Sequence, residues 1–197
     1  MPNVDLLTYG FSLSSDQGSF GFSTVTLVTV DDRRILVDTG PSSRRAILCK
    51  TLADRGIDLE DIDTVILTHL HWDHCQNIDL FPNARILVHP KEIDYLKHPF
   101  RGDHNVASYF EDVLSKLRVE PISEGAKIAK DVSVIDTPGH TKGHISVLIS
   151  VEGNNLLIAG DALPDGGTIR RRLPYNVFWD VDDATESVEK IVASAEI

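Results

Sequence analysis

Thr68-His69-Leu70-His71-Trp72-Asp73-His74 is the stretch on which the reading of this chain turns. Four metal-binding side chains, His69, His71, Asp73 and His74, fall within six residues, and three of the chain's eight histidines are among them. Neutral imidazoles and carboxylates are the ligands that hold zinc-like ions, and a site left partly open to water is suited to hydrolysis. A solvated polar loop would not need such clustering, nor the partners that follow downstream. Thr64–Thr68 (TVILT) reads as a buried strand that delivers His69 at its carboxyl end.

Working outward, four more polar residues share one design, a Gly-containing turn just after a buried strand. They are Asp38 in ILVDTG, His140 in VIDTPGH, His144 four residues later, and Asp161 in LLIAGD. Strand ends hold side chains rigidly, and the neighbouring Gly lets backbone approach closely. One ion could take His69, His71 and His140, and a second could take Asp73, His74 and Asp161, with Asp161 able to bridge them. Two ions about 3.5–4 Å apart could share a hydroxide and clamp the oxygens of a reacting carbonyl or phosphoryl group. His144 reads as a structural hydrogen-bonding residue rather than a ligand.

The rest of the chain frames this site. Val4–Tyr9, Thr24–Val30 and Arg34–Val37 read as strands, with a Gly/Ser-rich loop between the first two. Ser42 or Ser43 is expected to cap a helix running to Arg55, with Gly56 as its stop. Asp73 and His74 should open a short helix towards Ile78, before a strand at Arg85–Val88 and helices at Lys91–Lys97 and Tyr109–Leu117. Lys127–Ile128 and Val132–Asp136 are strands, and Ile145–Val151 with Asn155–Ala159 form a hairpin. A final helix, capped by Asp183 and Glu186, carries the apolar stripe Ala184, Val188, Ile191, Val192 and Ala195. Two sets of strands, each followed by helical material, predict two packed sheets with helices outside.

The totals limit the function. The 197 residues suffice for one domain with a sizeable core, and 42% hydrophobic with 25% charged residues is ordinary for a globular chain. A net charge of −11 argues against a broad nucleic-acid-binding face. No signal-like start or membrane-length apolar run is evident, and Cys49 and Cys75 form no disulfide framework, so the expectation is a cytoplasmic, reduced protein without a membrane partner. Both cysteines read as packing residues. Arg170–Arg172 reads as a solvated loop that could alternatively hold an anionic substrate or RNA phosphate. His98, Arg101 and His104 fall in an apparent insertion that could line a pocket, and Phe11, Phe20 and Phe22 read as a flap or as core.

Together, ILVDTG (Asp38), THLHWDH (His69 to His74), TPGHTKGH (His140) and AGDAL (Asp161) resemble the motifs of the metallo-β-lactamase superfamily, in the family's order. The resemblance covers roughly residues 24–195. It implies a fold of the α/β (α+β) class, a four-layer αββα sandwich in a single domain over 1–197, with two divalent ions, usually zinc, at one edge. It also implies His69, His71 and His140 on one ion, Asp73, His74 and Asp161 on the other, and Asp38 orienting the ligands. Two-metal members usually add a histidine from a strand after the last helix. Here the last histidine is His144, so the domain is expected to lack that closing strand and the second ion to be weak or absent.

The expected chemistry needs no protein nucleophile, because a metal-activated hydroxide attacks the substrate while Asp73 orients it. The first reading is a hydrolase of a small-molecule ester, thioester, lactone or amide. A metal-dependent phosphodiesterase or ribonuclease is the alternative from another substrate class, and a catalytically impaired metal-binding member is a third.

Overall fold

The computed structural model describes residues 1–172 and 174–195. The strands are β1 (Asn3–Thr8), β2 (Ser14–Ser15), β3 (Gly18–Ser19), β4 (Val25–Val30), β5 (Arg33–Val37), β6 (Thr64–Ile66), β7 (Arg85–Val88), β8 (Val119–Pro121), β9 (Lys127–Ala129), β10 (Val132–Asp136), β11 (Ile145–Val151) and β12 (Asn154–Ile158). The α-helices are α1 (Arg45–Ala53), α2 (Trp72–Cys75), α3 (Pro90–Lys97), α4 (Phe110–Leu114), α5 (Gly166–Arg171) and α6 (Val181–Ser194).

Period-two burial turns these strands into layers. In β5, Ile35 and Val37 point one way and Leu36 the other, and Val65 and Ile66 of β6 divide likewise. Leu36, Val65, Ile86 and Val88 pack with Leu48 and Leu52 of α1, Leu96 of α3 and Phe110 of α4. Ile35, Val37, Ile66 and Leu87 face Val132, Val134, Ile145, Val147 and Ile149 of the other sheet. Each such side chain, fully buried, contributes roughly 1.5–3 kcal/mol. The first sheet has six strands in the order β1-β4-β5-β6-β7-β8, and the second has four in the order β12-β11-β10-β9. Helix α6 buries Ala184, Val188, Ile191 and Val192 on the outer side of the second sheet, where Ser187 donates to the Pro138 carbonyl at 2.6 Å. The result is the four-layer αββα sandwich that the motifs implied.

Helix ends depart most from expectation. No serine side chain caps α1; Ser42–Arg44 forms a 3-10 turn after Pro41, and Arg44 precedes the helix. The α6 cap is Asp180, which accepts from the Asp182 and Asp183 amides, and not an Asp183–Glu186 box. Its carboxylate sits where the chain changes from extended to helical backbone, and that position was hidden by the equally acidic residues behind it. Strand β6 stops at Ile66, two residues earlier than expected, because Leu67 and Thr68 turn towards the site; Leu67 still donates to the Leu87 carbonyl at 3.0 Å. Helix α4 ends at Leu114 rather than Leu117. The short strands β2, β3 and β8 were not anticipated. Arg170 and Arg171 lie on helix α5 rather than in a loop.

Candidate metal centre

Five segments bring their chemistry to one edge of the sandwich. Asp38 follows β5, His69 and His71 follow β6, Asp73 and His74 lie on α2, His140 follows β10, and Asp161 follows β12. Two backbone devices aim them. Asp38 takes φ +60°, a left-handed conformation that aspartate tolerates better than most residues, and its carboxylate accepts from the Thr68 amide at 2.8 Å and the Thr68 hydroxyl at 2.9 Å. Gly139, at φ +123°, lets the loop before His140 press onto α6, because a Cβ there would lie 2.3 Å from the Ala184 amide nitrogen.

The five buried histidines of this edge are paired in a regular way. His69 places Nδ1 3.1 Å from the Thr68 hydroxyl and leaves Nε2 buried without a hydrogen-bond partner. His74 places Nδ1 2.7 Å from Asp38 Oδ2, and its Nε2 lies 3.6 Å from Asp73 Oδ2 and 3.4 Å from Asp161 Oδ1. His140 sets Nδ1 2.6 Å from the Asn176 carbonyl and Nε2 3.4 Å from Asp161 Oδ2. His71 is turned the other way, with Nε2 2.9 Å from Asp103 Oδ2 and Nδ1 3.0 Å from His140 Nε2. His144 binds Thr137 through Nδ1 at 2.9 Å, in keeping with a structural role. One ligand atom from each of His69, His71, His140 and Asp161 lies within 4.8 Å of the others.

These contacts fix which nitrogens are free. A carbonyl only accepts, so His140 Nδ1 carries the proton and Nε2 holds a lone pair. Asp103 likewise accepts a hydrogen bond from His71 Nε2, and the neutral His71 ring then holds its lone pair on Nδ1. Two lone pairs 3.0 Å apart repel unless a cation lies between them. That conflict, with the orphaned His69 and His74 nitrogens, fits a divalent cation.

Charge divides the centre. Burial, together with neighbouring His74, His71 and His140, pushes the His69 imidazole well below its ordinary value. Burial likewise pushes His140 down to about 4, with help from nearby imidazoles and against the pull of Asp161. Both are neutral at pH 7 and ready to ligate. His74 moves the other way: burial would lower it, but Asp73, Asp38 and Asp161 outweigh that and raise it well above the usual range. Burial and the nearby Asp161 raise Asp73. Asp161 is held well below the carboxylate range because His74 and His140 outweigh its burial.

A family model described as the metallo-beta-lactamase superfamily matches residues 18–194. The chain belongs to the metallo-β-lactamase superfamily. A probable metallo-hydrolase of Methanocaldococcus jannaschii is 32% identical over 157 residues, covering 80% of this superfamily member and 64% of the archaeal protein. An N-acyl homoserine lactonase of a Bacillus species is 28% identical over 137 residues, 69% of this chain and 52% of the lactonase. The chain thus spans between half and two thirds of the length of these two relatives. Among solved structures, a mutant of B. thuringiensis AiiA with N-decanoyl-L-homoserine at its active site superposes with a TM-score of 0.80 at 21% identity, covering 98% of this chain and 89% of that one. In this superfamily member the histidine–aspartate cluster could hold a metal ion. None of the described helices is long and apolar enough to cross a membrane.

Several residues that serve the centre were missed in the superfamily motifs. Glu92 of α3 is buried and accepts from the Leu70 amide at 3.1 Å and the Gly143 amide at 2.7 Å, joining the loop of His69 and His71 to that of His140. Asp103 lies between His98, Arg101 and His104, which are exposed, and it alone of that group turns inward. Asn176 supplies only a carbonyl, which no side-chain pattern reveals. Cys75 is buried, and its thiol, pushed well up by burial, donates to the His71 carbonyl at 3.1 Å. Cys49 is half-buried rather than core. Phe11 and Phe20 are exposed, and Phe11 meets the half-buried Phe22 edge-on at 4.3 Å, so these rings are not core.

Proposed function

We propose that this chain hydrolyses a small-molecule carbonyl compound, an ester, thioester, lactone or amide, with a lactone ring as the first substrate to test. The observation that carries the reading is the convergence of His69, His71 and His140 nitrogens on Asp161 within 4.8 Å, at an edge whose other carboxylate, Asp73, is partly open to solvent. His69, His71 and His140 would hold one divalent ion, and Asp73, His74 and Asp161 a second, with Asp161 offering one oxygen to each side. When bound, such ions supply Lewis acidity and lower the pKa of a coordinated water from about 15.7 towards 7.

The chain's own residues do the rest. Thr68, Asp38, Asp103 and the Asn176 carbonyl fix the imidazole tautomers, so the ligating nitrogens need no reorganisation during turnover. Asp73, partly open to solvent, is placed to orient the attacking water and accept its proton. That proton then passes to the departing alkoxide, so ester and water become acid and alcohol; a lactone opens to one hydroxy acid. Asp38 acts through His74 and does not touch substrate. The relatives named as lactonases support the lactone as first choice. A phosphodiesterase draws less support, because Arg172 is committed to Glu189 of α6 and the chain carries net charge −11.

The test is a panel of a γ-lactone, a thioester, an aryl ester and a phosphodiester, each with zinc-loaded and chelated protein. Carbonyl substrates should turn over only in the loaded protein, and His69→Ala and Asp73→Ala should both fall to background. Near-normal rates in both variants, or a preference for the phosphodiester, would overturn the reading.

A further inference from the structure

His71 is the imidazole that faces the centre through Nδ1, while His69, His74 and His140 present Nε2. Its outer nitrogen meets Asp103, a residue outside every motif of the sequence. Asp103 is 5% exposed and fully engaged: Oδ2 accepts from His71 Nε2 and from the Tyr95 hydroxyl, each at 2.9 Å, and Oδ1 accepts from the Asn105 amide at 3.0 Å. The loop that carries it, residues 98–109 between α3 and α4, is also joined to the ligand segment by backbone. Trp72 donates to the Asn105 carbonyl at 3.0 Å, and His71 forms an isolated antiparallel bridge with Val106.

We propose that Asp103 is a positioning residue that holds His71 in the tautomer able to ligate through Nδ1, and that through it the 98–109 loop is coupled to ion occupancy. A satisfied, buried carboxylate behind an imidazole orients the ring and strengthens it as a donor. Because His71 shares both a side-chain and a backbone link with the loop, an ion that fixes His71 also fixes the loop, and the coupling is reciprocal. Phe100, Arg101 and His104 of that loop are exposed, so ion binding would also order a stretch of surface. The inference rests on His71 being a ligand, as proposed above.

The experiment uses the full chain and cobalt(II). Asp103→Ala should weaken the tighter cobalt site about 10–100-fold and alter its visible spectrum. In the metal-free protein, imidazole nitrogen shifts should show His71 protonated at Nε2, and in Asp103→Ala a mixture of tautomers. Asp103→Asn, whose amide oxygen can still accept from Nε2, should recover part of the affinity. Tyr95→Phe should keep the wild-type affinity within a few-fold, because it removes only the outer donor. Wild-type affinity, spectrum and tautomer in Asp103→Ala, with His71→Ala unable to bind, would overturn the proposal and leave the metal centre standing. Unimpaired cobalt binding in His71→Ala would overturn both. Should Asp103→Ala not fold, hydrogen exchange of the wild-type loop decides: protection on adding zinc supports the coupling, and no change overturns it.

Discussion

The His69–His71–His140 half of the centre and the Asp73–His74 half sit side by side yet solve opposite electrostatic problems. In the first, burial makes His69 and His140 neutral, His69 Nε2 is left without a partner, and His140 Nε2 lies 3.0 Å from His71 Nδ1. In the second, Asp73, Asp38 and Asp161 surround one imidazole and drive it to take a proton. A cation entering the first half relieves lone-pair repulsion and displaces nothing. One entering the second half must expel the proton of His74. On the proposed two-ion reading, the histidine side should hold its ion more tightly and the carboxylate side should hold a weaker, more pH-sensitive one. Asp161 belongs to both, one oxygen 3.4 Å from His74 and the other 3.4 Å from His140.

The comparison can be broken by single substitutions. His69→Ala or His140→Ala should have the largest effect, taking turnover to background and metal content down by at least one ion per chain, as measured by elemental analysis after dialysis. Asp161→Ala comes next, because it should weaken both ions, whereas Asp73→Ala should weaken only one. Equal metal content in those two aspartate variants would contradict the bridging position of Asp161.

Much of the candidate site was legible in the sequence because its residues come from strand ends, tight turns and the short helix α2, where spacing along the chain is also spacing in space. Asp38 was readable from Asp-Thr-Gly, although its φ of +60° and its grip on Thr68 were not. The layers followed from the alternation in Ile35, Leu36 and Val37. Long-range partners were not readable. Glu92 lies 22 residues from Leu70 and 51 from Gly143, and Asp103 lies 32 from His71, distances over which no periodicity carries information. The α6 cap was misplaced because Asp180, Asp182 and Asp183 are chemically alike and only the backbone turn tells them apart.

Glu92 offers a smaller test, since its carboxylate ties the two loops of the histidine half together. Glu92→Ala leaves the Leu70 and Gly143 amides unpaired in a buried site and should lower stability by about 2–4 kcal/mol, read by urea unfolding of the metal-free chain. It should also weaken the tighter ion more than the weaker one.

The smallest effect is on pH-dependent stability. The unfolded chain protonates histidine near 6.5, while folded His140 resists until about 4, so its contribution is full above 6.5 and is lost as pH falls through that window. Depressed His69 and His144 act with the same sign. Raised His74 contributes fully below 6.5 and loses its contribution as pH climbs through its folded value. The chelated protein should therefore be most stable near pH 6.5, and His74→Ala should flatten the alkaline arm, as read by thermal unfolding across pH.

The asymmetry itself is tested most directly by calorimetric titration of zinc into the chelated chain in buffers of different ionisation enthalpy. Two binding events of unequal affinity are predicted, the weaker one releasing about one proton more than the tighter at neutral pH and disappearing in Asp73→Ala. Two ions bound with equal affinity and equal proton release would contradict the account.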